Sequence, residues 1–286
     1  MEPSGDTAFE FVKQLGRELA RSEFNLPPFP DVALRVRDAL ANPNVSVDDV
    51  ARIVTSEPIL VTRLLRMANS ALLKRGPMEV TDVKVAINRL GFEMVRNAAV
   101  SLAVDNSFVA PEGSLLRSHI DRVRKHSVRV GAIAYVLAKR HKSIRKPDEA
   151  MLAGLVHDIG VFYILTRVEA YPELFANQQA LAELLQGWHT GVGKAIAEAW
   201  GFPEPVVEAI DEHELIEREH LGPPDLADVL IVANLIAHLG DSGFPAATEL
   251  REISACRRLG IDEATVTRLL EESGDELRSM NQALGA

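Results

Sequence analysis

Residues 60–72, LVTRLLRMANSAL, repeat their apolar side chains at intervals of three and four: Leu60, Leu64, Leu65, Ala68 and Leu72. That spacing lays them along one stripe of a 3.6-residue helix and cannot line one face of a strand. Val130, Ile133, Ala134, Leu137 and Ala138 form a second stripe of the same kind. No stretch alternates apolar and polar residues over a strand length between hairpin turns. The chain therefore reads as all-α.

The punctuation between stripes agrees. Leu26-Pro27-Pro28-Phe29-Pro30 is an extended entry, because three prolines forbid a helix interior. Asn42-Pro43-Asn44 ends the next helix. Ser46 caps another, with Asp48 and Asp49 in the first turn, where the helix dipole favours carboxylates. Pro58 fits a first helical turn. Gly76-Pro77 breaks that helix, Thr81 and Asp82 open the next, and Gly91 closes it. A second unit begins near Pro111-Glu112-Gly113 with a long helix over 115–141. Pro147, Asp148 and Glu149 open the helix that carries His157-Asp158, with Gly160 inside it or at its end. Further helices are predicted over 178–200, 204–216, 225–239 and 262–284, with a loop from Gly240 to Pro245. The expected organisation is an N-terminal helical subdomain (19–112), a second helical subdomain (113–240) and a C-terminal helical extension (241–286).

Composition narrows the function classes. The chain has 286 residues, enough for two packed units at roughly 150 residues each. Its 47% hydrophobic and 25% charged residues exclude a mainly disordered chain. A formal net charge of −10 repels phosphate backbones, so general nucleic-acid binding is not expected. No apolar run approaches the ~18 residues of a membrane span, and MEPSGDTAFE at the N-terminus lacks the layout of a signal peptide. Cys256 is the only cysteine, which excludes a disulfide framework and a cysteine-based zinc site. A cytoplasmic protein that makes no membrane contact is the expectation.

Three polar residues invite chemistry. His126 lies on the long helix, and His157-Asp158 are adjacent in Gly154-Leu155-Val156-His157-Asp158-Ile159-Gly160. One histidine from one helix and a His-Asp pair from the next make half of a divalent-metal site, with donors that suit Zn, Mn, Fe or Ni. Such an ion acidifies a bound water and polarises a phosphoryl oxygen. The spacing leaves a second reading open, a buried hydrogen-bonded pair in which the Asp orients the imidazole. His189 and His213 are candidates for a second ion, or helix-terminal histidines that meet free carbonyls. His119, His141, His220 and His238 are assigned to surface or packing. Asn69-Ser70 reads as a side-chain cap or as a polar contact at a partner site. Glu57 reads as a first-turn charge, and Trp188 and Trp200 read as helix packing. Arg63, Arg66, Lys74 and Arg75 form a basic run, either a solvated face or a surface for an acidic partner.

Longer motifs add a resemblance. His126-Ser127 with Gly154 to Gly160 resembles the HD superfamily of metal-dependent phosphohydrolases. Leu26 to Pro30, Ser56-Glu57-Pro58-Ile59-Leu60, Leu64 to Ser70, Val83 to Gly91 and Trp200-Gly201-Phe202-Pro203 together resemble the HDOD domain, the HD-related output domain of bacterial signalling proteins. The likeness runs from about Leu19 to about His213. It implies an N-terminal helical bundle packed on an HD-like bundle, and a regulatory role in signal transduction, often beside receiver or cyclic-di-GMP domains. It also implies loss of the phosphohydrolase activity of the HD relatives. In active HD enzymes the ligands are a His, a His-Asp pair and a final Asp. His126 matches the first, His157 and Asp158 match the pair, and Asn234 stands where the final Asp belongs. An amide is a poor substitute for a carboxylate on such cations. His189 and His213 match two further histidines of the two-metal relatives, but Glu212 replaces the other member of a His-His pair. Leu215-Ile216-Glu217 follows where Gly-Tyr-Pro would stand.

The expected function is a non-catalytic signalling module that acts on a protein partner, or on a ligand such as a nucleotide, with a link to cyclic-di-GMP signalling and no cofactor. The alternative is a metal-dependent phosphohydrolase that uses His126, His157 and Asp158 with a divalent ion. A third reading keeps the pocket as a sensor that binds without turnover.

Overall fold

Many of the helices begin where a side chain caps the free amides or a proline removes one. Ser46 forms a capping box with Asp49 at the start of one helix. Asp82, Ser114, Asn177 and Asp262 accept first-turn N–H groups at the start of four others. Prolines at the first turn open four more. A computed structural model describes residues 10–18, 29, 31–74, 76–168, 170–242 and 250–285. Among the described residues there is no strand.

The first half comprises α1 (10–18), α2 (Asp31–Leu40), α3 (Val47–Thr55), α4 (Pro58–Asn69), α5 (Val83–Leu90) and α6 (Phe92–Ser107). Leu60, Leu64 and Ala68 of the opening stripe are fully buried on α4. The second half comprises α7 (Leu115–Arg140), α8 (Pro147–Val156), α9 (Ile159–Val168), α10 (Pro172–Ala176), α11 (Gln178–Ala199), α12 (Glu204–Glu212) and α13 (Leu226–Ser242). A 3-10 turn (Leu250–Glu252), α14 (Ser254–Leu259) and α15 (Glu263–Leu284) complete the chain.

The α6 helix packs on α8 and joins the two halves. There Asn97 donates to the Asp148 carbonyl at 2.8 Å. Phe29 and Trp200 pack with centroids 4.9 Å apart and their rings tilted by 56°, so Trp200 is the packing residue expected. The α15 helix lies across both halves, against α4 and α7.

The structure revises several local expectations. The helix opened by Pro147 stops at Val156, so His157 and Asp158 sit in a turn between α8 and α9. The helix expected over 204–216 ends at Glu212, and α13 runs on to Ser242, into the expected loop. Arg63 is buried rather than part of a solvated face: it pairs with Asp105 at 2.8 Å, because its stripe turns it toward α6. Asn69 takes the structural role, bonding the Leu65 carbonyl and both backbone groups of Val80. Most of the proline entry, Arg75 and 243–249 lie outside the described residues. The segment Pro147–Val168 is long and apolar enough by composition to cross a membrane, yet 78% of its apolar window is buried inside the protein, as in a core helix.

Candidate metal centre

Two glycines flank the His-Asp pair, and both bring backbones together. A Cβ at Gly154 would lie 2.5 Å from the Gly131 Cα, so α8 touches α7 backbone to backbone. A Cβ at Gly160 would lie 2.0 Å from the His189 carbonyl oxygen, so α9 meets α11 equally closely. The turn between these approaches therefore carries His157 and Asp158 to His126 on one side and to His189 on the other.

His126, His157 and Asp158 place one donor atom each within 4.8 Å of one another, and so do Asp158, His189 and His213. Asp158 belongs to both groups. Its Oδ2 lies 3.3 Å from His157 Nε2, and its Oδ1 lies 3.8 Å from the Nε2 of both His189 and His213. The five candidate ligands thus fall into two groups that share Asp158, and position 234 adjoins them through His126. Asn234 Oδ1 lies 2.9 Å from His126 Nε2, and Asn234 Nδ2 donates to Glu214 Oε1 at 2.9 Å.

The ring tautomers follow from the other nitrogen. His157 Nδ1 lies 2.8 Å from the Gly154 carbonyl, His189 Nδ1 lies 2.8 Å from the Leu185 carbonyl, and His213 Nδ1 lies 2.7 Å from the Ile210 carbonyl. A carbonyl only accepts, so each Nδ1 carries a proton and each ring turns its Nε2 toward Asp158, as a lone pair whenever the ring is neutral. His189 and His213 aim their Nε2 atoms at each other across 3.3 Å. Lone pairs facing one another and a carboxylate are stable together only around a positive charge.

Burial sharpens this demand. His157 is fully buried, and its Nε2 is close to Asp158 yet makes no aligned hydrogen bond. Such an orphaned buried nitrogen costs about 1–3 kcal/mol. Burial and the charge of His157 hold His126 down to about 4 and His213 down to about 3, against the attraction of Asp158. Burial also opposes charge on His157, but Asp158 outweighs it and raises that pKa. Burial pushes Asp158 up, and the histidines, His157 foremost, overcome it and hold the carboxyl well below its usual range. Near neutral pH the centre therefore offers an ionised Asp158 carboxylate beside neutral His126 and His213. A tetrahedral ion with bonds of about 2.0–2.1 Å spaces its donors roughly 3.3 Å apart, close to the separations found. The donor set fits a divalent ion of the zinc, manganese, iron or nickel type.

The centre opens onto a cavity of about 570 Å³. Arg122, Lys125 and Arg129 of α7 line it beside His126 and Asp158, and α15 contributes Asn281. Buried Asn281 Oδ1 has no hydrogen-bond partner among the described residues. His238 also lines the cavity, its ring centroid 4.5 Å from that of His126. The sequence assigns His238 only to surface or packing. Its signal was the four-residue step from Asn234, which puts both on one face of α13. A third group, His220, Asp225 and Asp228, already holds a cation: Arg218 bonds both aspartates and Glu212.

Comparison with known proteins follows the same line. Over 247 residues the chain is 24% identical to an uncharacterized protein of Treponema pallidum, matching 81% of this chain and 46% of that protein. The chain thus spans less than half the length of that curated relative. Among solved structures it is similar to a "putative metal-dependent phosphohydrolase" of Shewanella amazonensis SB2B, with TM-score 0.81, 25% identity and coverage of 98% of this chain and 99% of that one. It is also similar to an HDOD domain protein of Geobacter sulfurreducens, with TM-score 0.70, 26% identity and coverage of 95% and 97%. The family model of the HDOD domain matches residues 26–216, well over half of the sequence, so the chain belongs to the HDOD family.

Proposed function

We propose that this protein is a regulatory signalling module whose HD-type centre holds a divalent ion and, beside it, an anionic ligand. The observation that carries the reading is the convergence of the Nε2 atoms of His157, His189 and His213 on Asp158, with each Nδ1 tied to a backbone carbonyl. Arg122, Lys125 and Arg129 supply positive charge to the cavity wall, in a molecule whose net charge is −10. A negatively charged ligand such as a nucleotide is therefore favoured at this site against the overall field. Because α7 and α15 both form the cavity wall, occupancy acts on the contact between the halves, and a protein partner reads that contact.

A second reading, phosphohydrolysis, is favoured by the opening of the basic cavity directly onto Asp158. A bound divalent ion supplies an acidified water and polarises a phosphoryl oxygen. The chain's own part would be to hold the phosphate on the α7 basic residues and to keep Asp158 ionised.

The test is metal content by plasma mass spectrometry, on the purified protein and on Asp158→Ala, after exposure to Mn, Fe, Ni and Zn. Near-stoichiometric metal in the wild type, lost in the variant, is the expected result. Metal-free protein in both overturns the proposal. Hydrolysis of cyclic di-GMP or a nucleoside phosphate at enzyme-like rates by the loaded protein would replace the first reading with the second.

A further inference from the structure

Position 234 leaves the centre one negative charge short. A ligating imidazole brings no charge, so Asp158 is the one carboxylate that the two donor groups share. The HD pattern described above uses two. An amide oxygen at Asn234 cannot supply that charge.

The missing charge is present one residue beyond His213. Because α12 ends at Glu212, the chain turns there toward α13. That turn brings Glu214 Oε1 to 3.6 Å from His213 Nε2 and 2.9 Å from Asn234 Nδ2. The first distance is close to the donor spacing of a four-coordinate ion, roughly 3.3 Å. The second shows what holds the carboxylate: the Asn234 amide donates to it while its oxygen faces His126. Asn234 is buried at 5% exposure, whereas the Glu214 side chain is 46% exposed, so a charge at 214 loses less hydration than one at 234. Among the described residues, no lysine or arginine pairs with Glu214; its ion-pair partner is His213. An aspartate at 234 would face Glu214 as a like charge. The amide at 234 and the carboxylate at 214 are therefore a matched pair.

We infer that Glu214 is the carboxylate that completes the metal centre in place of the acidic side chain absent at position 234. The inference rests on the metal-binding reading above and names a ligand for it. Its consequence is that the chain keeps a two-carboxylate centre with the second charge moved from α13 to the turn after α12. The ion then ties the end of α12 to the α8–α9 turn through His213 and Asp158, 3.8 Å apart, with Glu214 joining from the His213 side.

The experiment uses the full chain stripped with a chelator, with Mn(II) binding followed by calorimetry and by the electron paramagnetic resonance signal of free Mn(II). Circular dichroism checks the fold of each variant. Glu214→Gln keeps the size and a hydrogen-bonding group but removes the charge. Its affinity for Mn(II) is expected to fall about tenfold or more. The exchange E214Q/N234D moves the carboxylate to 234 and keeps one amide opposite it. It is expected to recover most of the lost affinity. Wild-type affinity in E214Q overturns the inference and leaves the centre standing. An exchange variant as weak as E214Q overturns it as well. If the wild type binds no more Mn(II) than His157→Ala, the metal-binding reading itself falls, and the inference with it.

Discussion

Asp105 sits on α6 between two guanidinium groups from different parts of the chain. Arg63 of α4 donates to its Oδ2 and Arg124 of α7 to its Oδ1, while Arg63 also bonds Ser101 Oγ at 2.9 Å. One carboxylate therefore joins the first half to the long helix that carries His126. Replacing it by Ala strands Arg63, which is 8% exposed, with a hydroxyl as its remaining side-chain partner. Arg124 keeps Asp121. Asp105→Ala is expected to cost about 3 kcal/mol in urea unfolding, at the low end for a broken buried pair because Arg124 retains a partner. A loss under about 1 kcal/mol would mean that Arg63 reaches water in the variant and that the pair holds nothing together.

Among the elements, close helix approach decides where the centre forms. The α9 and α11 helices meet at Gly160, where any side chain would strike the His189 carbonyl. Gly160→Ala must move backbone rather than a flexible side chain. The expected cost is about 3 kcal/mol, together with weaker metal binding, since the shifted residue is His189. Gly187 gives the control on the same α11 helix. A Cβ there meets nothing within 4 Å, and Gly187→Ala should stabilise by about 0.5–1 kcal/mol. Thermal melts of the two variants side by side check the claim. Equal effects would show that propensity, not approach, governs these positions.

For the whole molecule, α15 is part of the cooperative unit. It buries Val266, Leu269, Leu277, Met280, Ala283 and Leu284, and Ser279 accepts the Ala71 N–H at 2.9 Å. It also closes the cavity wall with Asn281. Met280 is fully buried, and Met280→Ala is expected to cost about 2–5 kcal/mol, read as one unfolding transition at lower denaturant. An early separate transition for α15, with the rest unchanged, would make it an appendage. The outcome matters for regulation, because a ligand in the cavity can influence both halves only through a helix that unfolds with them.

Much of this protein is legible along the chain. The three-and-four spacing, the caps at Ser46, Asp82, Ser114 and Asp262, and the first-turn prolines are local, so helix type and most boundaries follow from the sequence by itself. His126, His157, Asp158, His189 and His213 were candidates from motif spacing. The tertiary structure decided what spacing cannot carry. A stripe does not say which helix it meets, so the burial of Arg63 and its pairing with Asp105 waited on the packing of α4 against α6. The break at His157-Asp158 lies between two close glycine approaches, of Gly154 to α7 and of Gly160 to α11, that no local pattern announces. The orphaned Nε2 of His157, the tautomers of His189 and His213, the place of His238, and the carboxylate of Glu214 beside Asn234 all depend on distances across helices far apart in sequence. Helix formation is set by neighbours within a turn or two. The candidate metal centre is set by the meeting of side chains from several helices and the turns that end them, which only the folded core brings about.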